Sequence, residues 1–371
     1  MELRIDRTKL LNSLSHIQQI AERKNTVEIL RNVLLEANGN ILRATATDID
    51  TTVSEAIECT IVEAGEKTVS AFMLYDIVRK LPDGAEIILK EDNDSIRITM
   101  GRSLFRLAAL PKADFPAEDQ FNVLGHCHIP AANMRGLIEN TLFAAAATSE
   151  VRYYLNGIFL HYHAESGRLR SVGTNSHRLA KHDAAPSEGC EFLSQGVILP
   201  RKAIAELRRL IEGYDGTVLL EIGEVNARFT VGSVVLACKL IAGKYPDYQR
   251  VIPALEGEPL LLDTKKFFAA VGRVSAISNA SSNNGVKFIL GKENLRLEAV
   301  DQDQNMGQEE IQVEHEIDPF DIGFNTTYLQ EVGQRISGEQ VQFWFPRNNG
   351  AVVLMDPEAP ESLFVLMPMR V

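Results

Sequence analysis

The feature that most constrains the fold of this chain is a pattern that occurs three times along its 371 residues. An amphipathic stretch with apolar residues at helical spacing begins near Asp6, Pro130 and Asp263. The dipeptide Leu-Arg follows each stretch, at intervals of 127 and 126 residues, as Leu42-Arg43, Leu169-Arg170 and Leu295-Arg296. Repetition at a fixed period indicates one structural unit used several times, so the sequence predicts three related domains.

Each third also contains a second amphipathic stretch, so each domain is predicted to be a doubled unit. The predicted helical stretches are 6–24, 71–81, 131–144, 200–212, 263–276 and 325–337. Runs typical of strands follow the second helices, at 96–100, 227–231 and 351–355. This order predicts an α+β architecture with helices on one face of antiparallel sheets, in domains at 1–120, 127–253 and 259–371.

Composition restricts the class of protein and its compartment. No apolar run approaches the roughly 18 residues of a membrane-spanning helix, and the first six residues carry charges where a signal peptide needs an apolar core. The four cysteines form no C-x-x-C pair, as expected of reduced thiols. We therefore expect a cytoplasmic protein without a membrane partner.

The net charge of −12 argues at first against a nucleic-acid binder. The charges are segregated, however, because the six predicted helical stretches together carry +7 and the remainder of the chain carries −19. A cationic helical face would attract phosphates without reading bases, and an acidic outer face would repel DNA. The alternative is that Lys and Arg accumulate in helices only because they are good helix formers.

Two pairs of aspartates are the strongest candidates for catalysis. Asp48 with Asp50 and Asp301 with Asp303 could bind Mg²⁺ in a nuclease or nucleotidyl transferase. They occupy corresponding points of two repeats, so duplicated turns explain them more simply. His126-Cys127-His128 and His161-Tyr162-His163 could begin a zinc site, but no further ligands follow at a suggestive spacing. We expect no catalytic residue, no metal and no cofactor.

Several phrases resemble those of one family, the beta subunit of bacterial DNA polymerase III, or sliding clamp. The most specific lie at 151–157 (Val-Arg-Tyr-Tyr-Leu-Asn-Gly), 176–180 (Ser-His-Arg-Leu-Ala), 245–248 (Tyr-Pro-Asp-Tyr) and 367–371 (Met-Pro-Met-Arg-Val). Others are Leu110-Pro111 with 113–116, Gly323-Phe324-Asn325 with Tyr328, and Pro200-Arg201-Lys202. The resemblance covers the whole chain.

This resemblance implies a non-enzymatic processivity factor. Three similar clamp domains per chain would form a ring as a head-to-tail homodimer, which encircles double-stranded DNA without regard to its sequence. The implied partners are the catalytic subunit of DNA polymerase III, the clamp loader and other proteins that carry a clamp-binding motif.

The resemblance also implies two sets of site residues. The candidates for DNA binding are Lys24, Arg152, Tyr153, Tyr154, Arg201 and Lys202. For the tyrosines, stacking on unpaired bases competes with ordinary packing. The candidates for an apolar pocket that binds partner peptides are Leu155, Thr174, His177, Arg178, Leu179, Pro246, Arg250, Val251, Asn325, Tyr328, Leu366, Met367, Pro368, Met369 and Arg370.

The chain departs from the family pattern at three places. The segment 25–30 reads Asn-Thr-Val-Glu-Ile-Leu where many relatives have Pro-Thr-Leu-Pro-Ile-Leu, and 174–179 reads Thr-Asn-Ser-His-Arg-Leu in place of Thr-Asp-Gly-His-Arg-Leu. An aromatic residue common on the pocket wall falls in the polar segment 281–284. These departures affect partner affinity and peptide preference.

Overall fold

The computed structural model describes residues 1–22, 26–117, 120–185, 189–278, 284–315, 317–346 and 350–370. The expected departures at Asn25 and at 281–283 lie outside the described residues. Among the described residues, no helix has the length and apolar character needed to cross a membrane.

The described chain contains six α-helices, close to the predicted positions. They are α1 (Arg7–Ile17), α2 (Ala71–Lys80), α3 (Ala131–Glu139), α4 (Arg201–Leu210), α5 (Thr264–Ser278) and α6 (Thr326–Gly333). Short 3₁₀ turns cover Glu28–Arg31, Lys112–Asp114, Leu142–Ala144, Tyr153–Leu155, Glu191–Gln195 and Tyr248–Val251.

Twenty-five strands fill the remainder of the described regular structure. The first third contains β1 (Glu2–Asp6), β2 (Asn32–Asn38), β3 (Ile41–Thr47), β4 (Thr51–Glu58), β5 (Thr60–Glu63), β6 (Gly65–Ser70), β7 (Glu86–Glu91), β8 (Ser95–Met100) and β9 (Ser103–Leu110). The second contains β10 (Gly125–Pro130), β11 (Gly157–His163), β12 (Arg168–Thr174), β13 (Arg178–Asp183), β14 (Val197–Pro200), β15 (Thr217–Ile222), β16 (Asn226–Val231) and β17 (Val234–Lys239). The third contains β18 (Leu260–Asp263), β19 (Gly285–Leu290), β20 (Asn294–Val300), β21 (Met306–Gln312), β22 (Phe320–Asn325), β23 (Gln340–Trp344), β24 (Val352–Met355) and β25 (Ser362–Leu366).

The predicted α+β architecture of doubled units is confirmed by the order of these elements. Each α-helix follows one strand and precedes three, so the strand–helix–three-strand unit occurs twice in every third, with β5 as an addition in the first. The Leu-Arg dipeptides lie in β3, β12 and β20, which hold the same place in the three repeats.

Three helices end at least four residues earlier than their apolar periodicity predicted, among them α6, which ends at Gly333 and not at 337. Asp6 caps α1 as expected, because its carboxylate accepts hydrogen bonds from the amides of Thr8 (2.8 Å) and Lys9 (3.1 Å). The helix ends at Ile17, not near residue 24, although Ile20 is fully buried. Similarly, α3 ends at Glu139, and the predicted stretch to 144 continues as a separate 3₁₀ turn. Apolar spacing reports which side chains face the core, and turn residues can satisfy it too.

The chain divides into two compact units. Unit 1 comprises Met1–Ala132, Glu188–Phe192 and Lys202–Leu240, and unit 2 comprises Asn133–Ser187, Leu193–Arg201 and Ile241–Val371. The boundaries 1–120, 127–253 and 259–371 stay a prediction.

Unit 1 is built on one antiparallel arrangement of thirteen strands, in the order β10-β15-β16-β17-β4-β3-β2-β6-β9-β8-β7-β1-β5. Helix α1 packs against α2, β3 and β4 through a buried stripe of Leu10, Leu14 and Ile17. Leu74 and Val78 of α2 are fully buried as well. Burying such side chains contributes roughly 1.5–3 kcal/mol each.

Unit 2 contains an eight-stranded sheet, β14-β11-β12-β13-β25-β24-β23-β18, and a four-stranded sheet, β21-β20-β19-β22. Its core is rich in aromatic rings. Phe267 of α5 meets Phe288 edge-on at 5.7 Å between ring centroids and Phe343 at 5.1 Å. Helices α5 and α6 pack together over this cluster.

Two strand pairings join different thirds of the chain with equivalent registers. In unit 1, β17 pairs with β4 from Val234↔Glu55 to Cys238↔Thr51. In unit 2, β25 pairs with β13, where Leu366 faces Arg178. Each pairing joins the third strand after a first helix to the third strand after a second helix. Two strands in these positions remain: β21 is the third strand after the first helix of the last third, and β9 is the third strand after the second helix of the first third.

Gly157 follows the Tyr-Tyr-Leu-Asn phrase and lies where β11 meets β14. A Cβ atom at this position would lie 2.1 Å from the carbonyl oxygen of Leu199. We expect Gly157→Ala to lower the free energy of unfolding by about 2–3 kcal/mol, because the two backbones must move apart.

Urea unfolding checks this expectation. The matched control is Gly272→Ala in α5, where the nearest atom to the added Cβ is the side-chain nitrogen of Gln330 at 3.3 Å. Alanine is the better helix former by about 1 kcal/mol, so the control should be neutral or stabilising. Equal losses in both variants would contradict the expectation.

Candidate functional site

The aspartates that were candidates for Mg²⁺ binding are committed to turns. The carboxylate of Asp48 accepts hydrogen bonds from the amides of Asp50 (3.1 Å) and Thr51 (2.7 Å) in the β3–β4 loop. The carboxylate of Asp301, in the β20–β21 loop, accepts from the amides of Asp303 (2.9 Å) and Asn305 (2.8 Å). These bonds are the duplicated turns that the sequence suggested as the simpler explanation.

The middle repeat has the same turn with an amide in place of the carboxylate. Asn175, in the β12–β13 loop, accepts hydrogen bonds from the amides of His177 and Arg178, both at 3.0 Å. Ser176 has φ 74°, and Ile49 in the first loop has φ 83°, a conformation that costs a β-branched residue energy. The loops that begin at Asp48 and Asn175 therefore share one geometry, whereas the loop that begins at Asp301 is two residues longer and has its positive φ at Gln304 (66°). The middle loop carries His177 of the candidate pocket, between Thr174 and Arg178.

The histidine pairs have separate surroundings. His126 and His128 lie on the same face of β10 with ring centroids 6.4 Å apart, and Cys127 points to the buried side. His163 Nδ1 lies 2.9 Å from the hydroxyl of Ser166. Over the described ranges, no three His, Cys, Asp or Glu side chains converge in a way that could hold a metal ion.

The segregation of charge holds with the helix boundaries of the structure. Helices α1 to α6 carry +2, +1, 0, +3, +3 and −1, which is +8 within a chain of net charge −12. Many of these cations have carboxylate partners; Arg209, for example, is 3.2 Å from Glu206. The helices therefore carry a net positive formal charge, although many of their cations are paired.

Three candidate DNA-binding residues lie together on one turn. Arg152 precedes the 3₁₀ turn Tyr153–Leu155, and its guanidinium contacts Glu150 (2.9 Å) and the hydroxyl of Ser176 (2.8 Å). The Tyr153 ring is 56% exposed and meets the Tyr154 ring edge-on at 5.9 Å. This turn presents a cation and an aromatic face to solvent.

The other candidate DNA-binding residues have structural partners or cannot be placed. Arg201 donates hydrogen bonds to the carbonyl oxygens of Leu142 (2.9 Å) and Ala145 (3.0 Å), and burial lowers its pKa. Lys202 is an ion-pair partner of Glu22 (3.0 Å) and Asp48. Burial opposes its charge, but these carboxylates outweigh burial and raise the pKa of Lys202. Lys24 lies outside the described residues.

The candidate peptide-pocket residues all belong to unit 2, where the C-terminal tail runs across them. The amide of Met367 donates to the carbonyl of His177 (2.9 Å), and the amide of Met369 donates to the carbonyl of Gly323 (2.9 Å). Met367 is 41% exposed, and Pro368 is half-buried. The tail is thus fixed by its backbone while a flexible thioether remains accessible to a ligand.

Beside the tail lies an apolar floor of buried side chains. Leu155 and Leu179 are at most 3% exposed and share one buried cluster, whereas Leu366, 2% exposed, packs into the separate cluster beneath α5 and α6. Thr174 holds the loop through a 2.7 Å bond to the carbonyl of Arg178. Val251 is 41% exposed at the other side. The exposed candidates around the floor are His177, Pro246, Arg250 and Arg370.

A polar cluster holds the pocket loop against α6. The Arg178 guanidinium pairs with Glu331 and lies 4.3 Å from the centroid of the Tyr328 ring. The side-chain amide of Asn175 donates to the Tyr328 hydroxyl (3.2 Å), and Asn325 caps α6 by accepting from the amide of Tyr328 (3.0 Å). Arg178, Asn325 and Tyr328 therefore bind one another in this structure.

The sequence reasoning missed a buried network beneath the segment 245–251. The carboxylate of Asp183 accepts two hydrogen bonds from Arg170, at 2.5 and 2.8 Å. Arg170 also donates to the Tyr248 hydroxyl (3.2 Å), which lies 2.9 Å from His161 Nε2. Burial lowers the pKa of His161 to about 4. The only sequence signals were the Tyr-Pro-Asp-Tyr phrase and the middle Leu-Arg dipeptide.

Comparisons with known proteins agree with this architecture. Family models of the DNA polymerase III beta subunit match at residues 1–119 (N-terminal domain), 128–247 (central domain) and 249–370 (C-terminal domain). A beta sliding clamp of Caulobacter vibrioides is 40% identical and one of Pseudomonas putida is 35% identical, each over the full length of both chains.

Solved structures are similar over the whole chain as well. The DNA polymerase sliding clamp from Caulobacter crescentus has a TM-score of 0.94 at 39% identity, with both chains fully covered. A sliding clamp from Bartonella birtlesii bound to griselimycin has a TM-score of 0.96 at 39% identity, again over both full chains. The chain belongs to the family of DNA polymerase III beta subunits, the beta sliding clamps.

Proposed function

We propose that two copies of this chain close head-to-tail into a ring around duplex DNA and tether DNA polymerase III to its template. The observation that carries the proposal is full-length similarity to beta sliding clamps together with two strand edges, on β9 and β21, that the internal repeat leaves to be paired. The protein would be a non-catalytic processivity factor in the cytoplasm, with domains at 1–120, 127–253 and 259–371.

The rival function, a Mg²⁺-dependent nuclease or nucleotidyl transferase, has no support. The carboxylates of Asp48 and Asp301 already accept backbone hydrogen bonds, and the relatives are clamps. A divalent cation would have to displace those bonds.

The two strand edges suit each other as a head-to-tail interface. Among the described residues, β21 pairs only with β20, and β9 meets β6 only at Ala109 and Leu110. Leu104 is 61% exposed on β9, and a groove of about 540 Å³ lined in part by Phe105 and Leu107 opens beside it. An unpaired apolar edge of this kind needs a partner strand.

The register of the interface follows from the repeat. Ser95 and Asn226 hold the same place, since each accepts a bond from the amide three residues earlier, and they face Ala108 and Lys239. Leu107 of β9 is therefore equivalent to Cys238, which faces Thr51, the first residue of β4. Thr52 faces Thr47 as Met306 faces Val300, and Thr47 and Val300 each lie four residues after the arginine of a Leu-Arg dipeptide, so Asn305 is the equivalent of Thr51. In the dimer, Leu107 would therefore face Asn305 of the second copy.

That register places opposite charges near each other. Arg106 would face Met306 of the second copy, which is 62% exposed in the single chain, and Ser103, next to Arg102, would face Glu309. Arg102 and Arg106 flank the β9 edge, and Glu309 and Glu310 lie on β21. Because the two surfaces differ, the contact is heterologous, and closure after two copies prevents open polymers.

We expect Phe105→Glu to convert the dimer to a monomer, because a carboxylate would be buried opposite the acidic β21 edge. Sedimentation velocity measures the mass. The control is Val225→Glu, which places the same charge at a loop position that is 68% exposed. The proposed interface is wrong if Phe105→Glu keeps the wild-type mass, or if both variants dissociate.

Sliding on DNA requires weak, sequence-independent contacts. The helices carry +8, and the turn at 152–154 adds an arginine and two aromatic rings that could stack on unpaired bases. We include Lys24, Arg152, Tyr153, Tyr154, Arg201 and Lys202 in the DNA-binding surface. The bonds of Arg201 and Lys202 suggest that these two contribute mainly by long-range potential.

A ring is held on DNA by topology, not by affinity. After loading onto nicked circular DNA, the protein should remain bound through gel filtration at high salt and leave when a restriction enzyme linearises the circle. Scintillation counting of labelled protein in the DNA fractions measures retention. Protein that stays on linear DNA with free ends, or leaves the circle at high salt, would contradict the ring.

Partners would bind through short peptides in the pocket of unit 2, including the polymerase catalytic subunit and the clamp loader. The support is the apolar floor beside an accessible Met367 and the griselimycin complex of the Bartonella birtlesii clamp. Its residues are Leu155, Thr174, His177, Arg178, Leu179, Pro246, Arg250, Val251, Asn325, Tyr328, Leu366, Met367, Pro368, Met369 and Arg370.

Deleting 367–371 should reduce griselimycin affinity at least tenfold, because the tail is one side of the pocket, and should leave the dimer mass unchanged. Calorimetric titration measures the affinity, and sedimentation provides the control. An unchanged affinity in the truncated protein would remove the tail from the site.

A further inference from the structure

The outer side of the pocket is a segment without regular strand pairing, so something else must hold it. Residues 245–251 follow β17 and contain only one short 3₁₀ turn, Tyr248–Val251. Pro246 and Val251 are exposed on it, while Tyr245 and Tyr248 are each 6% exposed. The segment is therefore fixed through its two tyrosines and presents the residues between and after them to a ligand.

Tyr245 belongs to a stack of three rings, and the ring of Tyr248 lies tilted beside its last member, His161. Tyr245 lies parallel to Phe159 at 4.9 Å between centroids, and Phe159 stacks on His161, also at 4.9 Å. The hydroxyl of Tyr245 donates to the carbonyl of Val172 (3.3 Å). Stacking fixes the height of the segment above the sheet but permits sliding within the ring planes.

Hydrogen bonds remove that remaining freedom. An arginine can only donate, so the Tyr248 oxygen accepts from Arg170, and its own proton points to His161 Nε2. His161 must then carry its proton on Nδ1, which lies 3.3 Å from the carbonyl of Tyr162. Every member of this directed chain is satisfied, and such networks specify one geometry.

The series of hydrogen bonds through Tyr248 and His161 begins at a buried ion pair. Arg170 and Asp183 are cross-strand neighbours on β12 and β13, 8% and 9% exposed, and Lys181 adds a contact to Asp183 at 3.2 Å. A paired and fully bonded charge in this setting costs desolvation energy and is a weak source of stability. The ion pair instead orients the Arg170 guanidinium, which donates to the Tyr248 hydroxyl.

The repeats indicate that this arrangement serves a local purpose. Arg170 is the middle member of the three Leu-Arg dipeptides. Arg43 is exposed and faces Ala56, and Arg296 pairs with Glu298 on its own strand. The arginine is buried only in the repeat whose loop contributes to the pocket, so the common fold does not require its burial.

We propose that Tyr248, held between Arg170 and His161, is a positioning residue that sets the pocket wall formed by Pro246 and Val251. The inference rests on the proposed peptide-binding function. Tyr248 does not touch the ligand; it fixes the segment from beneath and thereby reduces the ordering that binding would otherwise require.

The test is a double-mutant cycle on griselimycin affinity, measured by calorimetry on the full-length dimer. Tyr248→Phe keeps the ring and removes the hydroxyl, and we expect affinity to fall about tenfold. In the Pro246→Ala/Val251→Ala background, the same change should alter affinity less than twofold, because the wall through which Tyr248 acts is gone. Tyr214→Phe is the matched control and should leave affinity unchanged.

A second variant, His161→Phe, keeps the stacked ring but removes the nitrogen that accepts the Tyr248 proton. It should lower griselimycin affinity as Tyr248→Phe does. Two independent variants keep the test valid if one of them folds poorly. The proposal would be overturned if Tyr248→Phe lowered griselimycin affinity equally in the wild-type and the Pro246→Ala/Val251→Ala backgrounds. It would also be overturned if neither Tyr248→Phe nor His161→Phe lowered the affinity. Failure of the wild-type protein to bind griselimycin would instead count against the peptide pocket itself.

Discussion

The structure depends on the pairing of strand edges between repeats. Each third contains two runs of three strands, one after each helix. The last strand of every run has an edge that needs hydrogen-bond partners. The pairing of β17 with β4 and that of β25 with β13 satisfy four of six such edges with the same register. The two remaining edges are on β9, in the first third, and on β21, in the last. In the proposed dimer a second copy would supply the missing partners, so dimerisation would follow from the same rule that organises the single chain.

Comparison of the three repeats also shows which features belong to the common fold and which occur in one copy only. The loops at Asp48 and Asn175 share one turn and the Asp301 loop is two residues longer, yet only the middle loop receives the C-terminal tail. The arginines of the three Leu-Arg dipeptides share one strand position, yet only Arg170 is buried in an ion pair with Asp183. These two departures of the middle copy lie beside the proposed peptide pocket. Their asymmetry supports the proposed location of the site.

Much of the fold could be predicted from the sequence because periodicity and repetition are local signals. Six helices, their order and the α+β class followed from apolar spacing, whereas the helix ends at Ile17 and Glu139 did not, since buried turn residues continue that spacing. The pocket and DNA-binding residues came from family resemblance. The network around Tyr248 was not predictable, because His161, Arg170, Asp183 and Tyr248 meet only through strand register. Nor could the sequence show that Arg201 and Lys202 already have partners.

The central claim is that cationic helices of repeated units surround an opening that admits a double helix. Single-particle electron microscopy of the full-length protein tests it most directly. We expect a closed ring of two copies, with helices on the inner surface and sheets on the rim. A particle with protein density at its centre, or a ring whose inner surface is formed by the acidic sheet faces, would contradict it.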